Sequence, residues 1–342
     1  MEPQLKRPKV ESSAANNNMS ITTPLRICTH SGSFHADEAL AVYILRLLPK
    51  FKESTLVRSR DPAKWEESDI VVDVGGKYDG VKFFDHHQRG FEETFSADFH
   101  TKLSSAGLVY KHFGKEAIAQ VIKSDDTHTL ELLHKKIYEE FIEAVDANDN
   151  GISVYEETSK PRFKENGFKL SSVVHWLNPL WNEGDSDADF DRQFLLASEF
   201  MGTTFVNVVR NFGLGWLPAK QLVQDAFAKR FEIHESGKIM LFDQFAPWKD
   251  HLFTIEDEAG KSGEVLFVLF PDSTGKWRIS TVPIQGKGFE NRKALPEEWR
   301  GLRDDALSEK TGVEGCIFVH AAGFIGGAQT KDAVIKLAQM SL

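Results

Sequence analysis

The sequence predicts an α/β protein of two domains, and three observations support this prediction. The chain has 342 residues, more than one hydrophobic core usually fills. In the first half, short β-branched runs alternate with stretches of helical periodicity, the pattern of a largely parallel sheet. In the second half, several strand-like runs lie between two helical stretches, which indicates a smaller α+β domain with a mostly antiparallel sheet.

The first domain is expected to span residues 25–212. Its predicted strands are Leu25–Cys28, Thr55–Val57, Ile70–Val74 and Val81–Phe84. Its predicted helices are Ala36–Leu48, Ser105–Phe113, Glu131–Val145 and Asp189–Arg210. After the last helix, Gly213, Gly215 and Pro218 predict a break in the chain, and we place the domain boundary there.

The second domain is expected to span residues 218–342. Its predicted helices are Ala219–Phe231 and Thr330–Met340, and its predicted strands are Lys238–Phe242, Val265–Phe270, Trp277–Val282 and Cys316–His320. Residues 1–24 are expected to be a disordered tail, because they offer almost nothing to bury. The basic cluster Lys6-Arg7-Pro8-Lys9 in this tail is either a nuclear import signal or simply a solvated segment.

Composition excludes several classes of protein. No run of about 18 apolar residues exists that could cross a membrane, so we expect no membrane span. The net charge of −10 argues against a protein that coats long duplexes, although a cleft filled with cations could still accept a phosphate. Cys28 and Cys316 are too few for a thiolate metal site, so any metal would be held by oxygen and imidazole.

Clusters of acidic and histidine residues follow the predicted strands of the first domain. They are His30 with His35 and Asp37, Asp73, Asp85-His86-His87, and Asp146 with Asp149. Single aspartates at such positions usually cap helices or turns. Three adjacent ionisable groups at a strand end are costly to bury without a cation, however, and strand ends at one sheet edge can converge.

The residue types favour two divalent cations, either Mn²⁺ or Mg²⁺. Carboxylates suit both ions, and the histidines favour Mn²⁺, while zinc is less favoured. Two such ions about 3.5 to 4 Å apart can share a carboxylate and activate water against a phosphodiester. Asp73 or Asp37 is the candidate for the shared carboxylate.

Phe84-Asp85-His86-His87-Gln88 resembles the motif that names the DHH phosphoesterase superfamily. Within it, the chain looks like the melanocyte proliferating gene product family, a family of metal-dependent exonucleases. The segments that carry this resemblance are His30–Glu38, Val72–Gly75, Lys102–Gly107, Leu177–Pro179 and Ala321–Phe324. The resemblance extends from residue 26 to the end of the chain, and it implies a DHH-type catalytic domain followed by a DHHA1-like substrate-binding domain.

By position, the resemblance implies six metal ligands: His30, His35, Asp37, Asp73, His86 and Asp146. It also implies catalytic roles for Asp85, His86 and His87, where His87 would contact a phosphate oxygen or protonate the leaving group. Asp149 is left as a residue that orients a ligand or caps a helix. His35 departs from the superfamily pattern, which has an aspartate there.

The resemblance further implies substrate binding by the second domain. Its candidate residues are Arg278, His320, Gly323, Gly326 and Gly327, and Arg89 lies just beyond the DHH motif. The glycines precede a predicted helix, and a helix that starts after glycines is a natural place for a phosphate.

The leading functional prediction is a 3′ to 5′ exonuclease of single-stranded RNA that uses two metals to activate water. A phosphohydrolase of oligonucleotides, cyclic dinucleotides or other small substrates is one alternative. A catalytically inactive RNA-binding protein is another, since His35 replaces an aspartate. We expect a soluble intracellular protein of the nucleus, the mitochondrion or both, with the cytoplasm also possible.

Overall fold

The computed structural model describes residues 23–155, 167, 169–182, 184, 186–288 and 290–342. The predicted tail, apart from Thr23 and Pro24, and its basic cluster lie outside the described residues. No helix in the described ranges is long and apolar enough to cross a membrane.

The first half of the described chain contains a parallel four-stranded sheet. Its strands are β1 (Arg26–Thr29), β2 (Thr55–Arg58), β3 (Ile70–Val72) and β4 (Phe83–Phe84). They lie in the order β2-β1-β3-β4, so the chain crosses from β2 to the other side of β1 to form β3. This reversal is a topological switch point, where the carboxyl ends of neighbouring strands leave a crevice.

Helices accompany this sheet. They are α1 (Ala36–Leu47), α2 (Pro62–Glu66), α3 (Ser105–Ile122), α4 (Thr127–Ile137), α5 (Glu143–Asp149), α6 (Leu170–Leu177) and α7 (Asp187–Arg210). Helix α1 packs against both α3 and α7. The three helices form one core with Ile27 and Val72, while Cys28 and Val71 pack with Trp65 of α2 in a smaller cluster. Alternate strand residues therefore enter two separate clusters.

The second half contains a mixed, mostly antiparallel sheet, as predicted. Its strands are β5 (Ile239–Leu241), β6 (Phe267–Pro271), β7 (Trp277–Thr281), β8 (Cys316–Val319) and β9 (Ile325–Ala328), in the order β5-β6-β7-β9-β8. Only the β5-β6 pair among these described strands is parallel. Its helices are α8 (Leu217–Ala228), α9 (Arg230–Ile233), α10 (Lys249–Glu258), α11 (Asp304–Thr311) and α12 (Lys331–Met340). Along β6, Phe267 and Leu269 enter one core cluster and Val268 the other, with the period of two expected for a strand.

The chain remains helical where the sequence predicted a break. A π-helical segment, Asn211–Trp216, joins α7 directly to α8. A Cβ atom on Gly213 would lie 2.6 Å from Ile122 Cγ2, so this glycine permits close packing and does not end the helix. The wider π turn also suits Pro218, which has no amide hydrogen to donate. The chain thus has no break at the predicted boundary, and the domain limits of 25–212 and 218–342 remain a prediction.

Two further elements differ from the expected ones. The predicted helix Glu131–Val145 is divided by a π-helical segment, Tyr138–Ile142, between α4 and α5. The glycine-rich segment before α12 contains strand β9, where no strand was predicted. Gly326 and Gly327 pair with both β7 and β8, so they lie in the interior of the sheet.

Candidate metal centre

The carboxyl ends of the parallel strands bring the predicted acidic and histidine residues together. His30 directly follows β1, Asp73 follows β3, and Asp85 follows β4. Because the strands are parallel, these positions meet at one edge of the sheet, beside the switch point between β1 and β3. Helix α1 begins at the same edge with His35 as its N-cap residue, which adds Asp37 and Glu38 from its first turn.

Three overlapping groups of side chains are close enough to share a cation. They are His30, His35, Glu38 and Asp73; then Asp73, His86 and His87; and finally His35, Asp37 and Asp149. Within each group the potential ligand atoms lie within 4.8 Å of one another. We call these eight residues the acid–histidine site. Two of them, His35 and Asp73, belong to two groups each, so the groups are contiguous.

Asp73 lies at the centre of the acid–histidine site. Its Oδ2 is 3.4 Å from His30 Nε2, and its Oδ1 is 3.5 Å from His86 Nε2. The Ser105 hydroxyl donates a 2.8 Å hydrogen bond to Oδ1. The Asp73 backbone is left-handed, with φ of 58°, a conformation that costs about 1 to 3 kcal/mol outside glycine. Packing thus holds a strained backbone at the residue that joins two of the groups.

Asp37 provides the clearest test of whether a cation fits. The residue is 1% exposed, and neither carboxylate oxygen has a hydrogen-bond partner. Burial raises its pKa well above the usual range, and the nearby carboxylates of Asp73 and Asp149 raise it further. A buried carboxylate without donors is costly, whereas a divalent cation would satisfy both oxygens. The donor set fits such an ion.

The histidines of this site face acceptors on several sides. Although burial opposes the charged form, hydrogen bonds to Asp73 and Glu38 raise the pKa of His30 to about 10. Burial likewise opposes the charged form of His86, whose pKa is raised to about 10 by Asp149 and Asp73. Each imidazole therefore lies where positive charge is strongly favoured. A metal cation supplies such charge at the same place.

Asp146 and Asp149 have different surroundings. Asp146 Oδ1 accepts hydrogen bonds from the Ser104 amide and hydroxyl and from the Gly107 amide, and its Oδ2 accepts one from Tyr138. Asp149 Oδ2 instead lies 3.1 Å from His86 Nε2. The structure therefore places Asp149, and not the Asp146 favoured from sequence, within the acid–histidine site. Both residues belong to α5, but they lie three positions apart and meet different neighbours.

Asp85 and His87 form a pair at the rim of the site. Asp85 Oδ1 is 2.7 Å from His87 Nδ1, and the Gly76 amide donates to Asp85 Oδ2. The Asp85 side chain is 2% exposed, whereas that of His87 is 61% exposed. The hydrogen bond to Asp85 raises the pKa of His87. Asp85 thus orients His87, whose ring extends toward solvent.

Glu38 was not identified from the sequence. Its Oε1 accepts a 2.8 Å hydrogen bond from the His35 amide and lies 3.2 Å from His30 Nε2. Glu38 is fully buried, and its Oε2 has no hydrogen-bond partner. The only available signal was its position three residues after the N-cap, which is also that of an ordinary capping glutamate.

The substrate-binding candidates lie elsewhere. The Arg278 guanidinium pairs with Asp272 and stacks 5.5 Å from the Phe318 ring. His320 and Gly323 belong to the turn between β8 and β9, where the Gly323 amide donates to the His320 carbonyl. Gly326 and Gly327 lie in β9, and Arg89 lies on an exposed turn after the DHH motif. None of these residues lines either of the two cavities that adjoin Asp73.

Two cavities open onto the acid–histidine site. The larger, of about 530 Å³, is also lined by Lys102, Asn150 and His175. The smaller, of about 420 Å³, is walled by Arg60, Trp65, Gly75 and Gly76. His35, Asp73 and His87 line both cavities. Either volume is sufficient for a small ligand such as a nucleotide.

Comparison with known proteins finds extensive similarity. Residues 26–342 match the MYG1 exonuclease family model, described as an uncharacterised protein family, UPF0160. The MYG1 protein of Saccharomyces cerevisiae is 56% identical over 322 residues, which cover 93% of this chain and 95% of the relative. The MYG1 exonuclease of Homo sapiens is 44% identical over 330 residues, covering 94% and 87%.

One solved structure, of exonuclease RecJ bound to manganese, has 12% identity and a TM-score of 0.23, and the match covers 93% of this chain and 90% of that one. A TM-score this low supports no conclusion about the fold or the metal of this chain.

Proposed function

This chain belongs to the MYG1 exonuclease family, and from that premise we propose that it is a metal-dependent 3′ to 5′ exonuclease of single-stranded RNA. The family expected from the sequence is thereby confirmed. The mammalian relatives carry the name exonuclease, which supports a nuclease. Hydrolysis of RNA from its 3′ end, the use of two ions and the choice of Mn²⁺ are parts of the proposal.

The observation that carries the proposal is the contiguous acid–histidine site around Asp73. Its three groups are contiguous through His35 and Asp73, so two neighbouring cations could be held within the site. Asp37, His35 and Asp149 would hold one ion, and His86 with Asp73 the other. Divalent cations bound there would polarise a phosphoryl oxygen and lower the pKa of a water molecule.

Side chains of the protein would orient the reacting groups and transfer the protons. The Ser105 hydroxyl donates a hydrogen bond to the Asp73 carboxylate and holds its orientation. Asp85 accepts a hydrogen bond from His87 Nδ1, which leaves Nε2 free to serve the substrate. As water loses a proton to solvent and attacks phosphorus, the ester P–O bond breaks and His87 Nε2 would give a proton to the leaving oxygen. The hydrogen bond to Asp85 raises the pKa of His87, which favours the protonated form that this step requires.

The test is hydrolysis of a 5′-labelled single-stranded RNA with Mn²⁺. We would compare the wild type with His86→Ala and Asp73→Ala. His128→Ala and Asp125→Ala are the matched controls, because both residues are exposed and outside the site. We expect a ladder that shortens from the 3′ end, lost in the two site variants and kept in the two controls.

Other outcomes point to different functions. Cleavage of a DNA strand of the same sequence at an equal rate would remove the preference for RNA. If long strands stay whole while dinucleotides are cleaved, the protein is a phosphohydrolase of small substrates. If the protein binds Mn²⁺ and RNA without any turnover, it is a catalytically inactive RNA-binding protein.

A further inference from the structure

Strand β2 contributes a cation to the same sheet edge. β2 pairs with β1 in parallel, and Arg60 lies two residues beyond its end. The Arg60 Nη2 atom is 3.2 Å from His30 Nδ1, and Nε donates a 3.3 Å hydrogen bond to the Ser31 carbonyl. All four parallel strands therefore end near the acid–histidine site, three with acidic or histidine residues and β2 with an arginine.

Arg60 lines the smaller cavity. Asp73 and His87 line both this cavity and the larger one. Arg60 is exposed, so its guanidinium can contact a ligand in this cavity without a conformational change of the fold. By contrast, the nearby Arg58 side chain is 1% exposed and donates to the Gly32 carbonyl. The two arginines of this strand end thus differ, since one is buried in the fold and the other borders an open cavity.

The hydrogen-bonding capacity of His30 determines what Arg60 can bind. His30 Nε2 faces two acceptors, Glu38 and Asp73, at 3.2 and 3.4 Å. If Nε2 ligates a cation, the ring proton must be on Nδ1, where it can donate to the Ser31 carbonyl 3.2 Å away. Nδ1 then no longer accepts from Arg60. The guanidinium then keeps the Ser31 carbonyl as an acceptor, and its other N–H groups are available to a ligand in the cavity that Arg60 lines.

We propose that Arg60 binds the phosphate of the substrate's terminal nucleotide in the smaller cavity. This inference rests on the proposed function and adds the residue that receives the anion. A planar guanidinium can hold two phosphate oxygens at once, whereas the carboxylates of the acid–histidine site repel a polyanion. Arg60 places positive charge in the same cavity as Asp73 and His87, where the scissile phosphate would lie.

The test uses adenosine 5′-monophosphate as a probe with the Mn²⁺-loaded protein. We would measure its dissociation constant by calorimetry for the wild type, Arg60→Gln, Arg60→Lys and Lys64→Gln. Lys64 is the matched control, because it lies on α2, is exposed and loses the same charge. Loss of a charge-assisted hydrogen bond should weaken binding about tenfold or more in Arg60→Gln. Arg60→Lys should recover part of the loss, and Lys64→Gln should match the wild type.

Two further measurements separate this role from support of His30. Mn²⁺ affinity should change less than twofold in Arg60→Gln, and KM for RNA should rise by about the factor lost in binding the monophosphate. The proposal is overturned if monophosphate affinity is unchanged, or if the defect is confined to Mn²⁺ affinity. If the wild type does not cleave RNA but monophosphate binding still depends on Arg60, the proposed function fails and the phosphate subsite stands.

Discussion

The Asp146 carboxylate packs against the Cα atom of Gly107, so that a Cβ at residue 107 would lie 2.3 Å from Asp146 Oδ2. This contact joins the first turn of α3 to α5, and the Gly107 amide donates a 3.0 Å hydrogen bond to the same carboxylate. The close approach explains why a glycine lies within a helix. It also fixes the end of α5 that carries Asp149 into the acid–histidine site.

Gly107→Ala should therefore destabilise the protein. Alanine normally favours a helix over glycine by about 1 kcal/mol, but here the methyl group would displace a buried, hydrogen-bonded carboxylate. We expect a net loss of about 2 to 4 kcal/mol in the free energy of unfolding, measured in urea. Gly215→Ala is the control, because its Cβ would meet only Asn211 Oδ1, at 3.7 Å. Equal stability of the two variants would contradict the packing described.

Asp146→Asn and Asp149→Asn should change different properties of the protein. An asparagine in place of Asp146 would turn an amide toward groups that donate, so this substitution should lower the free energy of unfolding by about 1 to 3 kcal/mol. Asp149→Asn should leave it nearly unchanged and weaken Mn²⁺ binding by about tenfold or more. Urea unfolding and calorimetric Mn²⁺ titration distinguish the two. If Asp146→Asn alone weakens Mn²⁺ binding in folded protein, Asp146 is the ligand after all.

Removing the metal should reverse the effect of Asp37→Asn. The folded-state pKa of Asp37 is raised, so its stabilising contribution is complete below the unfolded-state pKa and lost as pH rises through the folded-state pKa. In EDTA at pH 7.5, a neutral asparagine should thus be at least as stable as aspartate. With Mn²⁺ at a hundred times its dissociation constant, the wild type should gain about 2.7 kcal/mol that the variant largely lacks. Melting temperatures with and without Mn²⁺ test this crossover, and a variant that is less stable in EDTA would refute it.

His134 should make stability depend on pH in mildly acid solution. Burial lowers its pKa to about 4, although a hydrogen bond with the Tyr110 carbonyl opposes the shift. Because the folded-state pKa is depressed, the stabilisation is present above the unfolded-state pKa of 6.5 and is lost as pH falls through the folded-state value. Between pH 7 and 4, this one group should cost about 3 kcal/mol.

His134→Gln keeps a donor for the Tyr110 carbonyl but has no charge to gain. We expect the variant to be less stable at pH 7, since it loses ring packing against Phe95 and Tyr110. Its unfolding free energy should fall less steeply toward pH 4 than that of the wild type. Parallel curves for the two proteins would show that His134 does not titrate in this range.

Local sequence patterns were enough to predict the α/β class and the strands of the parallel sheet. The apolar runs before His30, Asp73 and Asp85 form strands close to the predicted positions. Their β-branched and aromatic residues favour the strand conformation. Parallel strands also place their carboxyl ends at one edge, so the convergence of these polar residues followed from the pattern alone. The family was indicated by the segments His30–Glu38, Val72–Gly75, Lys102–Gly107, Leu177–Pro179 and Ala321–Phe324.

Which acidic residue of α5 enters the acid–histidine site depends on contacts that form only in the folded chain. Asp146 and Asp149 lie in the same short helix, and no local signal separates a carboxylate that receives four hydrogen bonds from one that faces His86. The donors to Asp146 include Ser104 and Gly107, about forty positions earlier in the chain, which only folding brings near. Arg60 likewise lies beside His30 because β2 pairs with β1 in the folded sheet. Local preference sets the elements, but the satisfaction of a buried charge depends on partners that are distant in sequence.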